Sequence, residues 1–240
     1  MRSLRSFGKG SAKVCLFLLA LFITSCNTLK RVDDDEFLLT KNYLFADDQR
    51  ILDEDIQSLI VQKPNSTVLG YPLRLNLYNL AKPNPDSSFQ AWLNKKDKRE
   101  ERLARFLSQK QVGRLGESFL VKGYSEWLKN IGEAPVVIDT QLTRKSLERL
   151  SDYYDSKGYF NNTTEFDIEP LNRKQRASLR YQINLGKPYI IDTISQKITS
   201  AAIDSLYNAH KKGSFIQNDK QFNLVDFNNE RERLTSLFRN

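Results

Sequence analysis

The sequence is 240 residues long, and 40% of its residues are hydrophobic and 11% aromatic. This composition excludes an intrinsically disordered chain and is sufficient for one or two domains with apolar cores. The formal charge of +8 would suit a nucleic-acid-binding protein, but the lysines and arginines mostly alternate with acidic residues. We therefore expect no nucleic-acid partner.

The N-terminal segment combines a basic start with a short apolar run. Four basic residues and no acidic residue occupy positions 1–13, and residues 14–23 are all apolar. This layout is typical of a bacterial export signal, and the run is too short for a membrane-spanning helix, which needs about 20 residues. The alternative, a buried core helix, would have no polar face toward water. Without residues 1–25 the formal charge falls from +8 to +4, because four basic residues leave with them.

Both cysteines of the chain lie in this region, Cys15 within the apolar run and Cys26 just after it. Residues 23–26 (ITSC) resemble the lipobox of bacterial lipoproteins. The resemblance implies that residues 1–25 are a signal peptide and that Cys26 becomes the first residue of the mature chain. Its thiol would carry a diacylglycerol, with palmitate as a typical acyl group, and several acyl chains hold a protein durably to a membrane.

The segment that begins at Cys26, residues 26–36, ends in four consecutive acidic residues. Charge blocks of this kind are usually solvated, so we predict an acidic tether. The segment also resembles the acidic export tags of surface lipoproteins in Bacteroidetes.

The first half of the remaining chain is predicted to contain one strand and two helices. Residues 37–45 are typical of a strand, and residues 53–63 have the apolar spacing and acidic first turn of a short helix that ends before Pro64. Residues 68–80 are apolar with partial alternation, and residues 98–110 form a charged helical pattern. Trp92 and Trp127 are predicted to be core or packing residues.

The second half is more regular. Residues 145–157 predict a helix, and Gly158 stands where a left-handed helix terminus favours glycine. Residues 164–169 and 177–185 alternate in hydrophobicity, which predicts an antiparallel hairpin with a polar connection at 171–176. A joint at 186–188 then precedes a predicted strand at 189–198.

A weak internal repeat follows. Residues 203–206 (IDSL) echo residues 56–59 (IQSL), and residues 232–235 (ERLT) echo residues 148–151 (ERLS). The first pair of matching segments lies farther apart in the sequence than the second pair. The difference equals the extra length between the two helices of the first copy. The repeating unit is then strand-helix-helix-strand-strand, with a large insertion in copy one. The second copy stops inside its second helix at Asn240, so we expect the native protein to continue.

Such units behind an export signal resemble the polypeptide-transport-associated (POTRA) domains of the BamA/TamA family. The resemblance is carried by residues 146–160 (SLERLSDYYDSKGYF) and 177–194 (ASLRYQINLGKPYIIDTI). Further short matches, at residues 63–65, 69–70, 78–80 and 132–139, resemble the lipid-anchored TamL branch from Bacteroidetes. The predicted fold class is α+β, with POTRA-like units at 37–187 and, incomplete, at 188–240. The first unit contains a mostly helical insertion at about 64–142.

The resemblance implies a periplasmic arm that precedes an outer-membrane barrel absent from this sequence. Its expected partners are the outer membrane, reached through the lipid on Cys26, outer-membrane protein clients and a TamB-like periplasmic protein. We expect the second hairpin strand or the opening strand of each unit to offer an edge to which an extended client adds by backbone hydrogen bonds.

The sequence offers no evident catalytic, cofactor or metal site. His210 is the single histidine and is expected to be exposed at a helix C-terminus. With this one histidine expected to be exposed and no free cysteine once Cys26 is acylated, we expect no Cys/His pair, Ser-His-Asp triad or common zinc site. We therefore predict that the protein is not an enzyme. The alternative is a stand-alone lipid-anchored periplasmic enzyme or binding protein.

Overall fold

The computed structural model describes residues 28–95, 99–116, 118, 122–172 and 175–239. Within them the fold is α+β, with four strands and nine α-helices. The strands are β1 (Leu38–Ala46), β2 (Gln49–Arg50), β3 (Thr163–Pro170) and β4 (Arg176–Asn184). The helices are α1 (Glu54–Ser58), α2 (Leu73–Leu80), α3 (Pro85–Asn94), α4 (Arg99–Phe106), α5 (Gln109–Gly116), α6 (Tyr124–Ile131), α7 (Thr140–Ser156), α8 (Ala201–His210) and α9 (Leu224–Arg239).

The strands form one mixed sheet in the order β2-β1-β4-β3. β1 and β2 are antiparallel, as are β3 and β4. β1 and β4 run parallel, because the amide of Leu38 bonds to Gln175 O at one end and that of Asp47 to Ile183 O at the other. The antiparallel hairpin predicted from the sequence is therefore confirmed, with Phe166 opposite Tyr181 and Ile168 opposite Leu179.

The chain divides into two compact units, each described here by itself. The first unit contains the described residues of 28–40, Pro64–Val137 and 175–176. Its helices α2 and α6 pack together, and α3, α4 and α5 contact one another. Val32, Leu38 and Leu75 form a small apolar cluster, with Leu29 and Val137 against it.

The second unit contains Lys41–Lys63, Ile138–Asn172 and the described residues of 177–239. Its helix α7 packs on β3, so the apolar faces of the helix and the sheet are buried against each other. Leu150 of α7 and Leu179, Tyr181 and Ile183 of β4 are fully buried.

Two helices end where hydrogen-bonding side chains intervene. The predicted helix at 53–63 begins correctly, with Asp53 as its N-cap, but ends at Ser58. Beyond it the amide of Val61 donates to Ser146 Oγ on α7 (3.0 Å) instead of continuing the helix. The predicted helix at 98–110 is divided into α4 and α5 because Ser108 and Gln111 form a reciprocal capping box that starts a new helix.

Helix α7 starts earlier than predicted because Asp139 caps it, accepting from the amides of Gln141 and Leu142. Gly158 ends it as predicted, with φ at +90° and a bond from the Tyr159 amide back to Tyr154 O.

The predicted strand at 189–198 is wrong. Within that range the structure has a single bridge, between Ile190 and Gln221. The apolar part of 68–80 is helix α2, preceded by a tight turn that joins Val68 and Tyr71. The apolar residues of this partly alternating segment lie on a helix that packs against α6, and not in a sheet.

Candidate interaction surfaces

The sheet ends at β3 within the part of the chain that the structure describes. The sequence-based expectation that the second hairpin strand supplies an edge is wrong, because β4 lies between β1 and β3. The opening strand is also covered near both ends. Its first residue bridges Val137, and Phe45 and Ala46 pair with β2. The backbone groups on the outer side of β3 are therefore the ones that an added strand would meet.

Strand β3 has two different faces. Phe166 and Ile168 are half-buried and lie opposite Tyr181 and Leu179, which are fully buried. On the other face, Glu165 and Asp167 are exposed. The strand ends at Pro170, which has no N–H to donate. The edge is thus eight residues long, anchored by an apolar face and acidic on its solvent face.

The solvent face of the sheet carries arginines stacked on aromatic rings, one on β4 next to this edge and one on β2 at the other side of the sheet. The Arg180 guanidinium lies 4.0 Å from the Phe45 ring centroid, and its Nη1 is 3.5 Å from Glu169 Oε1. The Arg50 guanidinium lies 5.2 Å from the ring centroid of Tyr43. The ion pair is largely exposed and contributes little stability. Flat cationic and aromatic groups suit contact with the side chains of an extended polypeptide.

A second surface lies in the first unit, where the residues that follow the predicted lipidation site are bound to helix α2. Lys30 Nζ donates to Asn79 O (2.9 Å), and Arg31 Nη2 donates to Ala81 O (2.5 Å). Asn79 Nδ2 donates to Thr28 O (3.2 Å), and the Arg31 guanidinium lies 4.5 Å from the ring centroid of Tyr78. The carbonyls at a helix C-terminus lack intrahelical donors and carry partial negative charge, so cations favour this position.

This arrangement corrects the prediction of an acidic, solvated tether. Thr28 and Val32 are buried, and the side chain of Gln175 donates to Asp33 O (2.7 Å). The acidic residues 33–35 are exposed, as expected of solvated charges. Cys26 itself lies outside the described residues.

Two aromatic pairs of the first unit face solvent. Trp92 stacks on Phe89 and Trp127 on Tyr124, with centroid distances of 5.9 and 6.0 Å. Both tryptophans are 48% exposed and stack on a neighbouring ring, so of the two predicted alternatives, core or packing residues, they are packing residues. Helix α6 buries Ser125 and Leu128 instead, which leaves its aromatic residues at the flank.

His210 is exposed at the last position of α8, as predicted, and its Nδ1 lies 3.0 Å from Leu206 O. The residues that the structure describes include no group of three or more His, Cys, Asp or Glu that could hold a metal ion. Among the helices in the described ranges, none is both long enough and apolar enough to cross a membrane.

No known protein-family model, curated protein or solved structure matches this chain. The family resemblance of the sequence therefore stays a hypothesis.

Proposed function

We propose that this chain is the periplasmic N-terminal part of an outer-membrane lipoprotein that assists the assembly or translocation of outer-membrane or surface proteins. In this proposal it binds clients or partners in an extended conformation along β3 and uses no catalytic residue. Acyl chains on Cys26 hold it to the outer membrane.

The observation that carries the proposal is the order and pairing of five elements. β1, α1, α7, β3 and β4 occur in the order strand-helix-helix-strand-strand, with the two-residue β2 after β1 and helices α2 to α6 between α1 and α7, and β4 lies between β1 and β3. That order is the one implied by the resemblance to POTRA domains. The long segment between α1 and α7 belongs to the first compact unit from Pro64 to Val137, which supports an insertion into one such unit.

The C-terminal part, residues 188–239, supports a second, incomplete POTRA-like unit. A single bridge at Ile190, in place of the predicted strand, is followed by α8 and α9, and two successive helices are what an incomplete second POTRA-like unit would contain. Two contacts join this part to the end of α7. The amide of Tyr189 donates to Gly158 O (2.8 Å), and Gln221 Nε2 donates to Lys157 O (2.7 Å).

The chemistry of β3 suggests how clients are bound without self-association. Backbone hydrogen bonds to a strand edge are independent of the client's sequence, which suits many clients. Glu165 and Asp167 would oppose the same residues of a second copy, and like charges facing each other across strands are unfavourable. The acidic face favours client segments with basic residues at alternate positions.

The first unit, with its exposed aromatic pairs, would offer a surface for the membrane or for a TamB-like periplasmic protein. The folded region would lie in the periplasm, close to the membrane that receives the clients.

Photo-crosslinking in cells tests the proposal. A photoreactive residue at Asp167, on the exposed face of β3, is expected to form adducts with unfolded outer-membrane proteins. Arg149, exposed on α7, is the matched control and should form few adducts. Equal labelling from both positions, or no adduct from Asp167, would contradict client binding at β3.

A further inference from the structure

The residues that follow Cys26 in the sequence contact the first unit at the C-terminal end of α2, among other places. Thr28, Lys30 and Arg31 all bond to residues 79–81 there. Cys26 lies two residues before Thr28 in the sequence, so a lipid on Cys26 would be joined to the chain two residues from the segment that is bound here.

The same end of α2 also contacts helix α6. The amide of Lys82, one residue after the carbonyl that Arg31 binds, donates to Ser125 Oγ (3.3 Å). Lys129 Nζ donates to Pro83 O (3.0 Å). Ser125 follows Tyr124 directly, and Tyr124 stacks on Trp127. Arg31 and Ser125 thus bond to the two sides of one peptide group, the Ala81 carbonyl and the Lys82 amide, and Ser125 is the neighbour of Tyr124 in α6.

The composition of this surface matches a membrane interface. Trp and Tyr side chains prefer the headgroup region of bilayers, where an apolar ring and a polar edge are both accommodated. Lys82 is exposed beside them, and Lys30 and Lys129 add positive charge, while α6 contains a single acidic residue, Glu126. Basic residues are attracted to anionic headgroups at the membrane surface.

We propose that Tyr124 and Trp127, with Lys82 and the bound residues 28–31, form a surface that contacts the headgroups of a phospholipid bilayer. This inference rests on the proposed anchoring through Cys26 and extends it. The anchor would be a short, docked connection that holds the first unit against the membrane, where a solvated tether would let it move freely.

Tryptophan quenching by brominated lipids tests this surface. The full-length chain is expressed in a bacterium, purified, and placed in vesicles of phosphatidylethanolamine and phosphatidylglycerol with or without bromine on the acyl chains. Trp92→Phe leaves Trp127 as the reporter, and Trp127→Phe leaves Trp92, which is equally exposed and equally stacked. Circular dichroism verifies that both variants fold.

The proposal predicts that brominated lipids reduce the emission of Trp127 by about twofold or more, and that of Trp92 clearly less, because Trp127 lies in the headgroup region. Mass spectrometry of Cys26 and flotation of the vesicles separate the possible failures. A chain that carries no lipid on Cys26 and does not float overturns the anchoring and this surface together. A chain that floats but whose Trp127 is quenched no more than Trp92 overturns the surface alone.

Discussion

The two compact units bury their interiors by different means. In the second unit, Leu150, Leu179, Tyr181 and Ile183 are fully buried between a long helix and a regular hairpin. In the first unit, short helices and loops are joined by polar side chains that bind backbone atoms. Asn65, for example, donates to Ala134 O (2.7 Å) and accepts from the Val136 amide (3.0 Å).

The stability of each unit therefore depends on a different kind of interaction. An apolar layer stabilises in proportion to the area that it removes from water, and loses stability when a cavity is opened. A buried polar side chain that bonds backbone atoms gives less net stability, but its removal leaves those atoms unsatisfied. Substitutions in the apolar core and at the polar side chains distinguish the two kinds of interaction.

Leu150→Ala should destabilise the second unit by about 2–5 kcal/mol, because it opens a cavity at a fully buried site. Leu52→Ala, at a position 67% exposed, should cost less than about 0.5 kcal/mol. Urea unfolding combined with amide exchange of β4 measures both. Similar costs for the two variants would show that α7 and β4 do not form the principal core.

Gly158→Ala should cost about 2–4 kcal/mol, from strain at positive φ together with overpacking. A Cβ at Gly158 would lie 2.8 Å from Phe222 O, whereas one at Gly70 would meet nothing within 4 Å. Both glycines have positive φ, at +90° and +78°. Gly70→Ala therefore controls for backbone strain and should cost about 1–2 kcal/mol. Equal thermal shifts in the two variants would exclude the close approach of Phe222.

Asn65→Ala should cost the first unit about 2 kcal/mol, because it leaves Ala134 O and the Val136 amide without their partner. Asn208 is the control. Its bonds to Asp204 and Gln196 are exposed, so alanine there should change stability by less than about 0.5 kcal/mol. Amide exchange at Val136 is the readout, and protection that survives Asn65→Ala would contradict the role of polar links in this unit.

Acid should weaken the attachment of α9. Hydrogen bonds from Arg233, at 2.7 and 2.9 Å, and from the Phe215 amide hold the pKa of Glu230 below its ordinary value, although burial opposes this. Because the folded-state pKa is depressed, the stabilisation is complete above the unfolded pKa of about 4.3 and is lost as pH falls through the folded value. Glu230→Gln should cost about 1.5 kcal/mol at pH 7 and flatten the acid dependence of α9 exchange. An unchanged pH profile would contradict this assignment.

Glu133 offers the corresponding test in the first unit. Burial raises its pKa, but bonds from the Ser66 hydroxyl (2.6 Å) and amide (3.0 Å), a bond with Asn65 and the charge of Arg74 together lower it, and the net shift is downward. These bonds are exposed, so Glu133→Gln should have a smaller effect than Glu230→Gln.

His210→Ala should have the smallest effect, within about 0.5 kcal/mol, because the ring is exposed and bonds only its own helix. Cells that carry this variant should show no loss of outer-membrane protein assembly. A clear loss would favour the alternative of a lipid-anchored enzyme.

The parts of the fold that the sequence predicted are those with strong local signals. Helix α7, its terminal Gly158 and the β3–β4 hairpin follow from periodicity and turn chemistry. The place of β4 inside the sheet was not predictable, because it depends on parallel pairing with β1, more than a hundred residues away. That pairing moved the candidate edge to β3.

The polar links of the first unit were missed for the same reason. Lys30 and Arg31 look like solvated charges in the sequence, and the carbonyls that they bind lie 49 and 50 residues further along the chain. The available signal was their position directly before an apolar Val32, which is buried. The exposed pair of Tyr124 and Trp127 was missed because Ser125 and Leu128 are the residues that α6 buries.

Hydrogen exchange of the lipidated full-length chain, with and without an unfolded outer-membrane protein as client, tests whether clients bind along β3. We expect amides of residues 163–169 to exchange more slowly when the client is present, since an added strand would bond the outer side of β3. Exchange in Thr140–Ser156 should not change. If β3 is unaffected while the client protects another segment, clients do not bind at this edge and the proposed mechanism is wrong.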